Sequence, residues 1–266
     1  MLVLLPPSEG KTSPAGGAPV DLDLLTAPVL RPAREQVLDA LAEVSALDDA
    51  PARLGVGATL ADEVARNTTL RSAPAGPARA VYTGVLYAAA GLGDLDGAAL
   101  ERARESLRVV SALWGVVGPE DRIPAYRLSM GTDLPGVGPL AGFWRPRLEP
   151  VLAPVDLVVD LRSTAYAAAW VPPASAQLTV RVEREVEGRR TVVSHWAKHA
   201  RGALTGHLLM RGDLPRTPAE VLAAALELVG TGPIGRTAPG LMTSELRTAE
   251  LARGPRGTHV LTLVVG

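Results

Sequence analysis

The chain has 266 residues, 47% of them hydrophobic but only 3% aromatic, and a formal net charge of −1. That length builds one large domain or two small ones, and near-neutrality argues against a wholesale polyanion binder. With no cysteine there is no disulfide framework, no thiolate metal site and no cysteine nucleophile.

Residues 2–5 (LVLL) predict a buried strand, ended by Pro6 and Pro7. The run has no basic leader, and no apolar stretch approaches the ~18 residues of a membrane span, so a cytoplasmic protein without membrane contact is expected. Residues 13–32 are rich in Pro, Gly and Ala and predict an extended surface segment. From Pro32 to Leu47 the apolar positions Val37, Leu38, Leu41, Val44 and Leu47 recur at three and four, the spacing of an amphipathic helix. A second helix is predicted over 59–67, a loop over 73–79, a buried helix or strand-to-helix passage over 81–91, and a helix over 97–107 with Asp96 as its cap.

Leu107 to Leu113 is apolar and β-branched at its centre and leads into the turn-rich GVVGPEDRIPAY. A short helix follows at 145–152, then a central strand over 155–161 that ends in Arg-Ser-Thr. Residues 177–186 and 190–196 alternate in polarity around EGRR and predict a β-hairpin. Helices over 197–211 and 217–229 and a closing strand over 259–266 complete the chain. There is no internal repeat and no regular βαβ alternation, so the expected fold is α+β or an irregular mixed α/β, as one domain over residues 1–266.

Charge is unevenly placed: residues 102–202 carry 14 basic and 10 acidic side chains, whereas 1–101 carry 7 and 13. Of the 27 basic residues only Lys11 and Lys198 are lysine. An ammonium is a compact charge whose pKa falls on burial, which a guanidinium cannot imitate, so these two are candidates for a specific role. Lys11 ends PPSEGK, which looks like a nucleotide-binding P-loop. That motif needs a glycine where Leu5 stands, and two prolines remove amide donors, so the P-loop reading fails. A lysine at the carboxyl end of a strand remains, where open sheets place their sites.

The other lysine lies in SHWAKHARG (194–202), where Lys198 and Arg201 share a helix face suited to an anion such as phosphate. His195 and His199 have zinc spacing but lack the glutamate of HExxH, and no metal or cofactor is expected. ALWGVVG, with Gly115 and Gly118, has the apolar-Gly-apolar turn by which helix-hairpin-helix modules aim amides at a phosphate, and Asp121, Arg122, Tyr126 and Arg127 follow closely. VVDLRSTAY places Asp160, Arg162, Ser163 and Tyr166 past a strand. No G-x-S-x-G elbow surrounds Ser163, so it is not expected to be a nucleophile.

In order along the chain, Pro6 with Lys11, VYTG (81–84), LR…SALWGV (107–116), Pro119 with Asp121, PAYRLSMG (124–131), Phe143-Trp144, Ser163 with Tyr166 and AKHARG (197–202) resemble the YaaA family, the peroxide stress proteins of bacteria. The resemblance implies a mixed α/β domain of unusual topology, the cantaloupe fold, with a helix-hairpin-helix-like element and a positively charged cleft. It also implies binding to duplex or distorted duplex DNA and a role in limiting iron-driven oxidative damage. The longer PPSEGK turn and the residues after about 210 depart from the family pattern.

Two functions follow. In the first, Arg108, Arg122, Arg127, Lys198 and Arg201 contact DNA phosphates while amides around Gly115 and Gly118 hold one strand. In the second, Lys11, Tyr82, Ser111, Asp121, Tyr126, Arg127, Asp160, Ser163, Tyr166 and Lys198 form an enzyme site for an anionic or phosphorylated small molecule, with a desolvated lysine as general base or Schiff-base amine. The arrangement that separates them is whether Lys11 and Lys198 meet in one pocket.

Overall fold

The computed structural model describes residues 1–152, 155–192, 195–236 and 243–266. Its longer elements are, in chain order, strands β1 (Leu2–Leu5), β2 (Leu107–Ser111), β3 (Gly115–Val117), β4 (Val158–Asp160), β5 (Gln177–Val186), β6 (Arg189–Val192), β7 (Leu246–Arg253) and β8 (His259–Val265). The longer helices are α1 (Arg31–Ser45), α2 (Val85–Ala90), α3 (Gly97–Ser106), α4 (Leu140–Leu152), α5 (His195–Met210) and α6 (Pro218–Leu226).

A strand without a polar residue is stable only where both faces are covered, and β1 is buried throughout near the middle of an eight-stranded sheet. The lateral order is β7-β8-β5-β4-β1-β2-β3, with β6 folded back on β5. β2, β1, β4, β5 and β8 run parallel, and β3, β6 and β7 pair antiparallel at the margins. Leu4 faces Arg108 on one side and Asp160 on the other, so the chain leaves β1, β2 and β4 on the same edge of the sheet. The expected mixed α/β class is therefore what forms, with a mainly parallel centre.

Most sequence-predicted elements appear with shifted ends. The region predicted as one helix over 59–67 is a helix at Ala61–Ala65 between 3-10 turns at Ala58–Leu60 and Arg66–Thr69. Asp96 stands at the cap position of α3, yet its side chain makes no capping bond. α4 starts at Leu140, five residues early, because Leu140 and Trp144 are fully buried and hold a first turn that Pro146 hides from sequence reading. The part of the predicted 190–196 strand at 193–194 lies outside the described residues. β7 was not expected: it is a half-polar edge strand whose pairing with β8, rather than its own pattern, defines it.

ALWGVVG (112–118), read as a helix-hairpin-helix-like turn, is the turn that follows β2 and the strand β3. Gly115 is glycine for packing: its φ is 71°, and a Cβ there would lie 2.6 Å from Cζ3 of the buried Trp144. Glycine has a similar task on α5. A Cβ on Gly202 would meet the carbonyl oxygen of Leu86 at 2.2 Å, and one on Gly206 that of Ala90 at 2.6 Å. α5 can thus press its backbone against α2, which brings its first turns over the carboxyl end of β1.

Candidate functional site

The chain leaves β1 through Pro6 and Pro7 and runs on to Lys11, which is zipped to the segment before α2. Thr12 N–H donates to Val81 O at 2.9 Å, and Lys11 pairs with Tyr82 as an isolated bridge. Ser8 Oγ accepts from Thr83 N–H at 3.1 Å, and the Tyr87 hydroxyl donates to Pro6 O at 2.7 Å. These bonds fix both the main chain and the direction of the lysine stem.

The ammonium end of Lys11 donates to Ser8 O at 2.7 Å and Glu9 O at 3.4 Å and lies 4.3 Å from the centre of the Tyr126 ring and 5.7 Å from that of Tyr82. Burial, reinforced by the Arg127 guanidinium and only partly opposed by Glu63 and Glu9, lowers its pKa from 10.5 to about 7. The tyrosines beneath it are committed to one another. Tyr82 and Tyr126 hydroxyls are 3.0 Å apart, Tyr126 and Ser111 2.7 Å, and Ser111 Oγ accepts from Leu113 and Trp114 N–H. Burial raises Tyr82, Tyr87 and Tyr126 well above 10 and also raises Tyr166, so these phenols stay neutral.

Above this floor lies a cavity of about 470 Å³ whose lining includes Pro6 to Lys11, Val56, Leu86, Tyr87, Arg127, Leu128, Ser129, Ser163, Tyr166 and Lys198. The two lysines of the chain therefore line one cavity, with Lys198 exposed. Its size is that of a small-molecule site, and its place at the carboxyl ends of parallel strands is where such sites form. Arg127 is held over it by Asn67, whose side chain bonds both the N–H and the carbonyl of Arg127 at 2.9 Å. Its guanidinium reaches Glu63 at 3.4 Å and Glu9 at 3.9 Å, both weak pairings that an incoming anion can replace. Among the described residues no group of three or more His, Asp or Glu side chains is arranged to hold a metal ion, and no helix is long and apolar enough to cross a membrane.

Of the candidates, Lys11, Arg127, Ser163, Tyr166 and Lys198 meet at this cavity, with Tyr82 and Tyr126 packed behind Lys11. Others are used elsewhere. Asp160 pairs with Arg162 through two short bonds, 2.8 and 2.7 Å, and Arg162 also donates to the carbonyls of Tyr166 and Trp170, so this buried pair shapes the turn that presents Ser163 and Tyr166. Asp121 accepts from Thr26 N–H, Thr26 Oγ and Gly118 N–H, and burial raises its pKa. The Gly118 amide is thus spent within the protein, and both Gly115 and Gly118 are buried. Arg108 donates to the carbonyls of Arg104 and Leu107, Arg122 to that of Ala75, and Arg201 twice to Val180 O. Arg201 latches α5 to β5 and is not among the residues that line the cavity with Lys198.

Sequence reasoning missed Ser8, Tyr87, Ser129 and the carboxylates Glu9 and Glu63. Tyr87 was within reach: the chain has only four tyrosines, and all four gather here.

A mixed α/β chain whose parallel strands end at a basic, hydroxyl-rich cavity built around a near-neutral lysine is the class that fold and site define. The chain belongs to the YaaA family: a family model described as "Peroxide stress protein YaaA" matches residues 1–218. It is 49% identical to a UPF0246 protein of Streptomyces coelicolor over 86% of this chain and 90% of that one. A UPF0246 protein of Corynebacterium efficiens is 45% identical over 83% of this chain and 90% of its own length, and one of Corynebacterium glutamicum is 38% identical over the whole of both.

Proposed function

We propose that the chain acts in the peroxide stress response by binding a small anionic molecule in this cavity and transforming it, with Lys11 as the reacting amine. The observation that carries this reading is the amine itself: a lysine brought to about 7, in a cavity shared with Arg127 and Lys198. An amine at that pKa is about half unprotonated at neutral pH and so accepts a proton or attacks a carbonyl, while the two further cations supply the attraction for an anion. Ser129, Ser163 and Tyr166 add hydroxyls that orient the rest of the molecule, and Val56, Leu86 and Leu128 give an apolar wall for its body.

The test pairs binding with physiology. Small carboxylates and phosphates should raise the melting temperature of the wild-type protein, and Arg127→Ala should remove most of that shift. In a strain lacking the protein, peroxide survival should return with the wild type and fail with Lys11→Met produced at equal level. If Lys11→Met restores survival fully, the amine has no part in the function.

The second reading, DNA binding that limits iron-driven damage, is favoured by one observation: Arg127 and Lys198 line the same cleft. The self-bonding of Arg108, Arg122 and Arg201 leaves few phosphate contacts, so the expected salt slope is shallow, about two released counterions. Affinity for a bulged duplex that falls steeply with salt, and falls further with Arg127→Ala, would restore this reading to first place.

A further inference from the structure

The reaction open to Lys11 is narrowed by what surrounds its nitrogen. A lysine that works as a base must hand its proton on, usually through a carboxylate, a histidine or a chain of hydroxyls. Among the described residues none of these is within hydrogen-bond distance of Lys11 Nζ. Its partners are the carbonyls of Ser8 and Glu9, and the nearby hydroxyl chain of Tyr82, Tyr126 and Ser111 is closed on itself, with the lysine over the Tyr126 ring rather than at its oxygen. A neutral amine has two N–H groups and one lone pair. Ser8 O and Glu9 O take the two hydrogens, which leaves the lone pair without a partner among the described residues. The neighbouring Arg127 is the second cation that commonly accompanies an imine-forming lysine.

We propose that Lys11 forms a Schiff base with an anionic carbonyl compound, the anion held by Arg127 and Lys198 and the carbonyl carbon presented to Lys11 Nζ. This inference rests on the small-anion reading of the cavity and specifies the substrate class. In the reaction the nitrogen lone pair forms a bond to the carbonyl carbon, and the C=O π pair moves to oxygen, which takes up a proton while nitrogen loses one. The carbinolamine C–O bond then breaks with a second proton delivered to oxygen, nitrogen gives up its remaining proton, and C=N forms. The balance is one carbonyl compound plus one amine to one imine plus one water, with no oxidant or reductant. The two protons that nitrogen loses are the two that oxygen takes up, exchanged through solvent in the cavity that Tyr166 and Ser163 line.

The chain suits a direct test, because it has two ε-amines and one α-amine to modify. Pyridoxal 5′-phosphate serves as the probe, an anionic aldehyde used for its reactivity, and pyridoxine 5′-phosphate is its unreactive alcohol counterpart. After borohydride reduction at pH 7, peptide mass analysis should place the adduct on Lys11 at least about tenfold faster than on Lys198. Pyridoxine 5′-phosphate should protect, pyridoxal without phosphate should label several-fold more slowly, and Arg127→Ala should raise the half-saturating probe concentration several-fold. Lys11→Arg should bind pyridoxine 5′-phosphate and lose the fast adduct, leaving only the slow labelling of Lys198 and the α-amine.

If pyridoxine 5′-phosphate binds and is lost with Arg127→Ala, yet Lys11 labels no faster than Lys198, the imine is overturned and the anion site stands. If neither phosphate compound binds at concentrations that label the α-amine, the site reading itself fails, and this inference with it.

Discussion

Replacing Lys11 by methionine keeps the length of the side chain and removes its charge, so it isolates the cost of holding an ammonium at this wall. Lowering a lysine from 10.5 to about 7 is a change of about 3.5 units, which at ~1.4 kcal/mol per unit is about 5 kcal/mol. Because Lys11 keeps some exposure, screening by solvent reduces the usable figure to about 2–4 kcal/mol. The folded pKa lies below the unfolded one, so between pH 7 and 10.5 the unfolded chain binds more protons and stability rises with pH; below 7 the full cost is present, and above 10.5 it has gone. Urea unfolding of wild type and Lys11→Met across pH 6 to 10 should therefore show a stability difference that moves by about 2–4 kcal/mol in favour of the wild type as pH rises. In parallel, ¹³C-lysine labelling gives only two ε-methylene signals, and one should titrate near 7. Arg127→Ala should raise that midpoint and Glu63→Gln should lower it, each by roughly half to one unit, or ~0.7–1.4 kcal/mol. A pH-independent stability difference, or the absence of any ε-signal that titrates near 7, would refute the reasoning.

Gly202→Ala forces a Cβ onto the carbonyl oxygen of Leu86, so α2 and α5 must part; a loss of about 1–3 kcal/mol in chemical denaturation is expected, with weaker anion binding because Lys198 rides on α5. Asp160→Asn leaves the guanidinium of Arg162 buried without its counter-charge and should cost about 3 kcal/mol, read as a lower urea midpoint at unchanged slope. Tyr126→Phe removes the middle hydroxyl between Tyr82 and Ser111 but keeps the ring under Lys11. It should destabilise by about 1–2 kcal/mol while the lysine ε-signal still titrates near 7, and a midpoint moved by more than one unit would show that the hydroxyl, not burial, sets it. Lys198→Arg should preserve phosphate-induced thermal shifts, since at an exposed rim either cation attracts an anion.

How far this site was legible depends on the range of the interaction that decides each residue. Lysine scarcity marked Lys11 and Lys198 without any knowledge of contacts, and of the two only Lys11 has surroundings that a guanidinium could not answer by losing its proton. The pairing of Asp160 with Arg162 was also within reach, since residues two apart on an extended chain point to the same side. Asp121 was not: one partner, Gly118, is three residues away, but Thr26 is 95 away, and a local bond alone does not distinguish a carboxylate that caps a loop from one that faces a substrate. Gly115 illustrates the same limit. An apolar-Gly-apolar turn fits both amide exposure and close packing, and only the distant Trp144 decides for packing. The fold followed the same division, with the all-apolar β1 evident from four residues and the half-polar edge strand β7 defined by a neighbour.

The arginine bias of the chain and the chemistry of its cavity are then parts of one explanation. Wherever a cation has only to stay charged, arginine is the more secure choice, because neither burial nor a neighbouring cation removes its proton; Arg34 is buried and satisfied by four backbone carbonyls at Leu22, Trp114, Thr26 and Val116. At position 11 the same constancy would be a defect. That wall disfavours a charge by burying it and setting Arg127 beside it, and among the described residues its direct acceptors are two backbone carbonyls. A guanidinium there would bear the whole cost at every accessible pH, whereas an amine escapes it by releasing a proton and gains a reactive lone pair. The destabilisation held at Lys11 and the share of free amine it keeps at neutral pH are the same free energy, so a change that returns its pKa toward 10.5 relieves the one and loses the other.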